Sequence, residues 1–182
     1  MRRRKITGLG VNFMFGLPET FLQLAFVENF IMAFRWVWPL SEFLHFVGLT
    51  LLVGIVGLYD ARLLGVAPQM PVAPLRQLLP WAVLGFCLCV FTGLIFVTGL
   101  WTNVQVHPLE ALASDHFLQI KLSFIGLAGI NLLVLYQSGI SDECDKLGPG
   151  DEASTKAKII AASSLFLWVG VIYWGRLIPW GL

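Results

Sequence analysis

From Gln77 to Leu109 the chain carries no Asp, Glu, Lys or Arg. An uncharged stretch of that length is too long for one strand and exceeds the about 20 apolar residues needed to cross a roughly 30 Å hydrocarbon core as a helix. Three further apolar runs of similar character share the chain. Composition agrees: 57% of the 182 residues are hydrophobic and only 13% are charged, with mean hydropathy +0.79. A soluble domain carries roughly 25% charged residues, so this chain lacks the material to cover a water-facing exterior. That argues against a disordered chain, a secreted disulfide scaffold and an ordinary soluble enzyme. The net charge of +1 offers no basic field for nucleic acid.

The apolar runs place four spans at about Pro39–Tyr59, Pro80–Leu100, Phe117–Gln137 and Ile159–Ile178. Pro39 suits a first helical turn. Ser114-Asp115 and Ser154/Thr155 supply N-cap chemistry for the third and fourth spans. The runs do not alternate as strands would. The expected fold is therefore all-α, a four-transmembrane-helix bundle over residues 39–182. Residues 1–38 precede it as a basic tail, Arg2-Arg3-Arg4-Lys5, and an interfacial amphipathic segment. The segment Phe13–Trp38 is interrupted by Pro18, Glu19, Gln23, Glu28, Asn29 and Arg35, which suits a helix lying in the interface rather than a span. Glycines at 54 and 57, and at 126 and 129, predict close helix contacts. Asn131 is expected to hydrogen-bond across the bundle. Asp60 and Arg62 before Gly65 predict a helix exit fixed by an ion pair.

Four spans return the chain to the side from which it started, here side A. Side A receives the interfacial stretch, the loop Trp101–His116 and the C-terminus; side B receives the loops Asp60–Leu79 and Ser138–Lys158. Arg62, Arg76, Lys146, Lys156 and Lys158 lie close to the spans on side B, so side B is expected to face the cytoplasm.

Ionisable residues inside spans are expensive and mark candidate sites. They collect towards side A. Glu42 and His45 lie three apart on one helix face, Lys121 lies about a turn into the third span, and Arg176 occupies the last turn of the fourth. His107 and His116 share that half. A neutral His45 can ligate haem iron or copper, with His116 as a second metal ligand and Glu42 orienting the ring. Gly48, one turn deeper, predicts room for a flat macrocycle. Lys121 and Arg176 suit haem propionates, a quinone oxygen or an anionic lipid head. The structural alternative is a salt-bridge network in which Lys121 or Arg176 neutralises Glu42. Cys87 and Cys89 point to opposite sides of a helix and cannot chelate one metal together; Cys144 stands in a charged loop. Glu42-x-x-His45 is half of a di-iron carboxylate pattern, without a second copy.

The order Trp38-Pro39-Leu40-Ser41-Glu42-Phe43-Leu44-His45, Asp60-Ala61-Arg62-Leu63-Leu64-Gly65, Leu79-Pro80-Trp81, Thr92-Gly93, Phe117-x-x-x-Lys121-Leu122, Gly129-Ile130-Asn131, Ser164-Leu165-x-Leu167-Trp168 and Gly175-Arg176-Leu177-Ile178 resembles a bacterial family of four-helix integral membrane proteins known as a domain of unknown function. The likeness covers roughly residues 35 to 180. More distantly the chain is similar to copper-resistance D-type membrane domains and small cytochrome b-like bundles. The resemblance implies a multi-pass protein of the bacterial inner membrane. It singles out Glu42, His45, Lys121 and Arg176 and supplies no activity; the more distant likeness implies haem b or copper as cofactor, and a bundle that holds one at His45 is expected to pass electrons near side A. The segment Trp101–Asp115 is longer than in the family, and the third span ends Tyr136-Gln137 rather than on a basic or histidine residue. The alternative is a non-catalytic subunit of a larger membrane complex.

Overall fold

A computed structural model describes residues 25–99 and 108–180. The basic run at 2–5, the first part of the interfacial stretch, Leu100, Trp101 and His107 lie outside the described residues. The described chain forms seven α-helices and no strand: α1 (Ala25–Ala33), α2 (Val37–Leu63), α3 (Val72–Thr98), α4 (Pro108–Ser114), α5 (His116–Gln137), α6 (Ile140–Cys144) and α7 (Thr155–Leu177), closed by a 3-10 turn at Ile178–Trp180. Helices α2, α3, α5 and the last, with its 3-10 extension, are long and apolar enough to cross a membrane. By length and composition the chain is a multi-pass membrane protein, with apolar outer faces suited to lipid.

The caps explain where the helices begin and end. The Asp115 carboxylate accepts from the Phe117 and Leu118 amides at 2.9 and 3.1 Å, starting α5, and Ser154 Oγ accepts from Ala157 N to start α7. Each satisfies amides that the first turn leaves unpaired. Helix α2 ends with Gly65 N donating to Arg62 O and Val66 N to Ala61 O, with Gly65 at φ +87°. That left-handed stop relieves the last carbonyls and favours a residue without a Cβ.

Two side B features depart from the sequence reading. Helix α3 begins at Val72, and Pro80 lies inside it. The added turns hold together because Val72 and Leu75 are buried in a core with Tyr59, Leu63, Ile140, Cys144, Ala153, Ala157 and Ala161. Burial there offsets the hydrogen bond that Pro80 removes. This core sits on side B, where loops and helix ends meet. The second departure is Arg62, which makes no ion pair with Asp60. Its guanidinium donates to the carbonyls of Met70, Gly148 (2.8 Å) and Asp151 (3.2 Å), and the residue is 1% exposed. Arg62 thus ties both side B loops to the end of α2. Asp60 instead meets the Ser164 hydroxyl, and its Oδ2 is buried without a partner.

The spans pack as two pairs, α2 with α3 and α5 with α7, and contact between α2 and α7 joins them. The α2–α3 crossing is at Gly48 and Gly85: a Cβ on Gly48 would lie 2.8 Å from Gly85 O and 2.8 Å from Cys89 Sγ, and one on Gly85 would lie 2.6 Å from Gly48 O. Gly54, Gly126 and Gly129 have nothing within 4 Å of such an atom, and Gly57 meets only the end of Leu165 at 3.8 Å, so the close backbone approach belongs to a different glycine pair. Asn131 does bond across the second pair, donating to Ile160 O at 3.1 Å. On side A, Phe26, Phe30, Phe34 and Trp36 form an exposed aromatic ladder along and just beyond α1. Ile31, on another face, is buried against Gly99.

Candidate functional site

His45 is the ninth residue of α2 in sequence order from Val37, about 12 Å along the helix at 1.5 Å per residue. The crossing at Gly48 and Gly85 brings α3 close enough for two polar contacts one turn above it. His45 Nδ1 lies 2.7 Å from Thr92 Oγ1. Cys89 Sγ donates to the His45 carbonyl at 3.5 Å. Thr92 is fully buried, and its hydroxyl donates to Leu88 O at 2.7 Å. A hydroxyl has one proton to give. With Leu88 O taking it, the imidazole Nδ1–H is the donor to Thr92, and in the neutral ring Nε2 keeps its lone pair. The ring also packs on Phe96, centroid to centroid 5.3 Å, and Phe96 packs on Trp38 at 5.3 Å.

Of the four polar residues singled out in the sequence, none is hydrogen-bonded or ion-paired to another among the described residues. Lys121 on α5 lies against Gly175 of α7. Glu42 is exposed and accepts from Trp38 Nε1 at 3.1 Å. It therefore does not orient His45; Thr92 does. Arg176 is exposed near the end of α7, and His116 is exposed at the first position of α5. Neither has a hydrogen bond or ion pair to His45, and no group of three His, Cys, Asp or Glu able to hold a metal occurs among the described residues. The salt-bridge alternative is not formed either. Among the described residues the ion pairs are Arg76–Asp145 and Lys158–Glu152, both on side B.

The sequence reading missed Thr92, Cys89, Phe96 and Gly175. Thr92-Gly93 was visible only as a spaced motif, because a mid-span threonine ordinarily bonds back to its own helix. Gly48 does not leave space for a macrocycle, since its bare face is closed by Gly85 and Cys89. Gly175 matters instead. A Cβ there would lie 3.2 Å from Lys121 Nζ and 3.3 Å from its Cδ and Cε, so the lysine stem lies directly on the α7 backbone.

Two open grooves lie elsewhere. One of about 580 Å³ runs between α5 and α7 past Asn131, Ser163 and Phe166, and one of about 420 Å³ lies beside Arg76 and Asp145. Neither includes His45. Comparison with protein-family models, curated proteins and solved structures gives no match for this chain.

Proposed function

We propose that the chain is a membrane-embedded redox bundle that binds haem b through His45 and passes electrons near the side A surface. One observation carries the reading: His45 Nδ1 is fixed by the buried Thr92 hydroxyl at 2.7 Å, which presents Nε2 as the bare donor that iron takes. Such an outer hydrogen bond sets the tautomer and orientation of a ligating histidine. Because the Gly48 face is closed by α3, a flat ligand would approach from the side of Lys121. The ammonium there suits a propionate. Haem is favoured over copper because a single axial histidine suffices for five-coordinate haem, whereas no three ligating groups converge among the described residues. The resemblance to cytochrome b-like bundles of the bacterial inner membrane points the same way.

The test is absorbance in the Soret region and a pyridine haemochrome assay on protein purified from haem-sufficient cells, with elemental analysis for copper. The expected result is haem in the wild type and its loss in His45→Ala. A colourless, metal-free wild-type protein would overturn the reading.

A second reading, a non-catalytic subunit of a larger membrane complex, draws on α5, of which only 6% of the spanning window is buried. Its face of Leu127, Ile130, Leu133 and Val134 is free for lipid or for another subunit. Size analysis after extraction in mild detergent tests it, and a stable lone monomer counts against it.

A further inference from the structure

Hydroxyls inside these spans bond back to their own helix: Ser41, Thr50, Thr98 and Ser123 each donate to the carbonyl four residues earlier, the usual place for such a group. Among the described residues Ser164 of α7 makes no such bond. The carbonyl it would use, Ile160 O, serves its own helix and also accepts from Asn131 of α5, which fills both lone pairs. Ser164 meets Asp60 of α2 instead. The two helices are close at this level, since a Cβ on Gly57, one turn before Asp60, would lie 3.8 Å from Leu165 of α7. Asp60 is 5% exposed within the protein itself, and its Oδ2 is buried without a partner. Ala157 and Ala161, on the same α7 face as Ser164, are fully buried. Among the described residues no cation answers the carboxyl. Arg62 of the same helix is engaged by loop carbonyls, Arg76 of α3 is paired with Asp145, Lys158 of α7 is paired with Glu152, and Lys156 is exposed. The other titratable groups at this end are Tyr59 beside Asp60, with Tyr136 of α5 and Cys144 of α6 around it, and all three are uncharged at neutral pH. Enclosing a carboxylate without a counter-ion costs far more than enclosing the neutral acid, which leaves one carbonyl-type oxygen bare.

We propose that Asp60 is a proton-binding site at the joint between the two helix pairs: the carboxyl keeps its proton at neutral pH and donates it in a hydrogen bond to Ser164 Oγ, and its ionisation weakens the contact between α2 and α7. Asp60 lies in the last turn of α2, so the proton exchanges with water on side B. The inference goes beyond the haem reading, because it requires neither His45 nor Thr92.

The experiment follows the unfolding temperature of the detergent-solubilised full chain from about pH 5 to about pH 8 for the wild type and Asp60→Asn. An unfolded aspartate loses its proton near about pH 4. Above that the folded wild type holds one proton more than the unfolded chain, so its stability falls as pH rises. Asparagine keeps the shape and cannot ionise. The wild type is therefore expected to fall more steeply than Asp60→Asn, by up to about tenfold in the folding equilibrium per pH unit. Equal slopes overturn the proposal, as they would if Asp60 stayed ionised on water or on an alkali cation. Dicyclohexylcarbodiimide, an apolar reagent for protonated carboxyls, gives a second readout that needs no substitution. The Asp60 proton passes to one carbodiimide nitrogen, the carboxyl oxygen bonds to the central carbon, and acyl transfer to nitrogen leaves a stable N-acylurea with nothing released. Peptide mass mapping of the folded chain is expected to find this adduct on Asp60 at about pH 6 and at least about tenfold less of it at about pH 9. If Asp60→Asn does not fold, an Asp60 left unmodified at about pH 6 overturns the proposal.

Discussion

The Thr92 hydroxyl, fully buried on α3, lies 2.7 Å from Nδ1 of His45 on α2. With the Cys89 Sγ bond to the His45 carbonyl, it is one of two polar links between the two most extensively packed helices of the fold. Because Thr92 also donates to Leu88 O at 2.7 Å, one side chain both satisfies its own helix and orients the imidazole. Glu42, the residue that helical spacing places nearest, has no such part.

Thr92→Val keeps the shape and removes the acceptor. Burying an imidazole N–H without a partner costs about 1–3 kcal/mol, so the detergent-solubilised variant should unfold at lower temperature. If His45 ligates iron, haem occupancy should also fall by about 10–100-fold, as for other outer-sphere partners of a ligand. Thr92→Ser retains the hydroxyl and should restore both. Equal behaviour of the Val and Ser variants would remove Thr92 from the site.

The Gly48–Gly85 crossing predicts an asymmetry among the span glycines. Gly48→Ala introduces an atom 2.8 Å from Gly85 O and Cys89 Sγ, and such overpacking costs about 1–3 kcal/mol. Gly54→Ala and Gly126→Ala meet nothing within 4 Å and should match or exceed the wild type, since alanine is the better helix former. Thermal unfolding of the three variants side by side checks the ranking.

These positions also mark what could be read from the sequence and what could not. Span number, the Asp115 and Ser154 caps and the Gly65 stop all follow from residues acting within one helix or at its end, where local rules hold, and a mid-span amide such as Asn131 needs a partner on some neighbouring helix. The Gly48–Gly85 contact, the Lys121–Gly175 seat and the His45–Thr92 bond join helices far apart in sequence. Spacing along one helix says nothing about which face meets which partner. Asp60 and Arg62 misled for the same reason. Two residues apart, they face different neighbours, and each found its partner in another segment, Ser164 for one and loop carbonyls for the other. Pro80 suggested a start because a proline disfavours helix interiors, yet tertiary burial of Val72 and Leu75 carried the helix past it.

Arg62→Met retains the apolar bulk but leaves the carbonyls of Met70, Gly148 and Asp151 without their shared donor. Bonds to a charged group contribute about 1.5–3 kcal/mol each, less than additively, so a loss of about 3 kcal/mol or more is expected. The loop at 148–151 should become the first site of limited proteolysis and lose amide-exchange protection, while the spans keep theirs. Unchanged protection in that loop would contradict the clamp.

Cys144 lies on α6, outside the spans, and is 1% exposed. Burial pushes its thiol above the ordinary range; the neighbouring Glu143 carboxylate adds to that, and a hydrogen bond from Tyr59 opposes it. The thiolate is the reactive form. In a Cys87→Ser, Cys89→Ser background, a water-soluble maleimide should therefore modify folded protein far more slowly than denatured protein at the same pH. The sign of the pH dependence follows. As pH rises through the ordinary thiol range, the unfolded chain releases its Cys144 proton first. The folded state then holds more protons than the unfolded state, so its stability falls with rising pH. Cys144→Ala should flatten that alkaline slope of the unfolding temperature. An unchanged slope, or rapid labelling of the folded protein, would place the thiol outside the side B core.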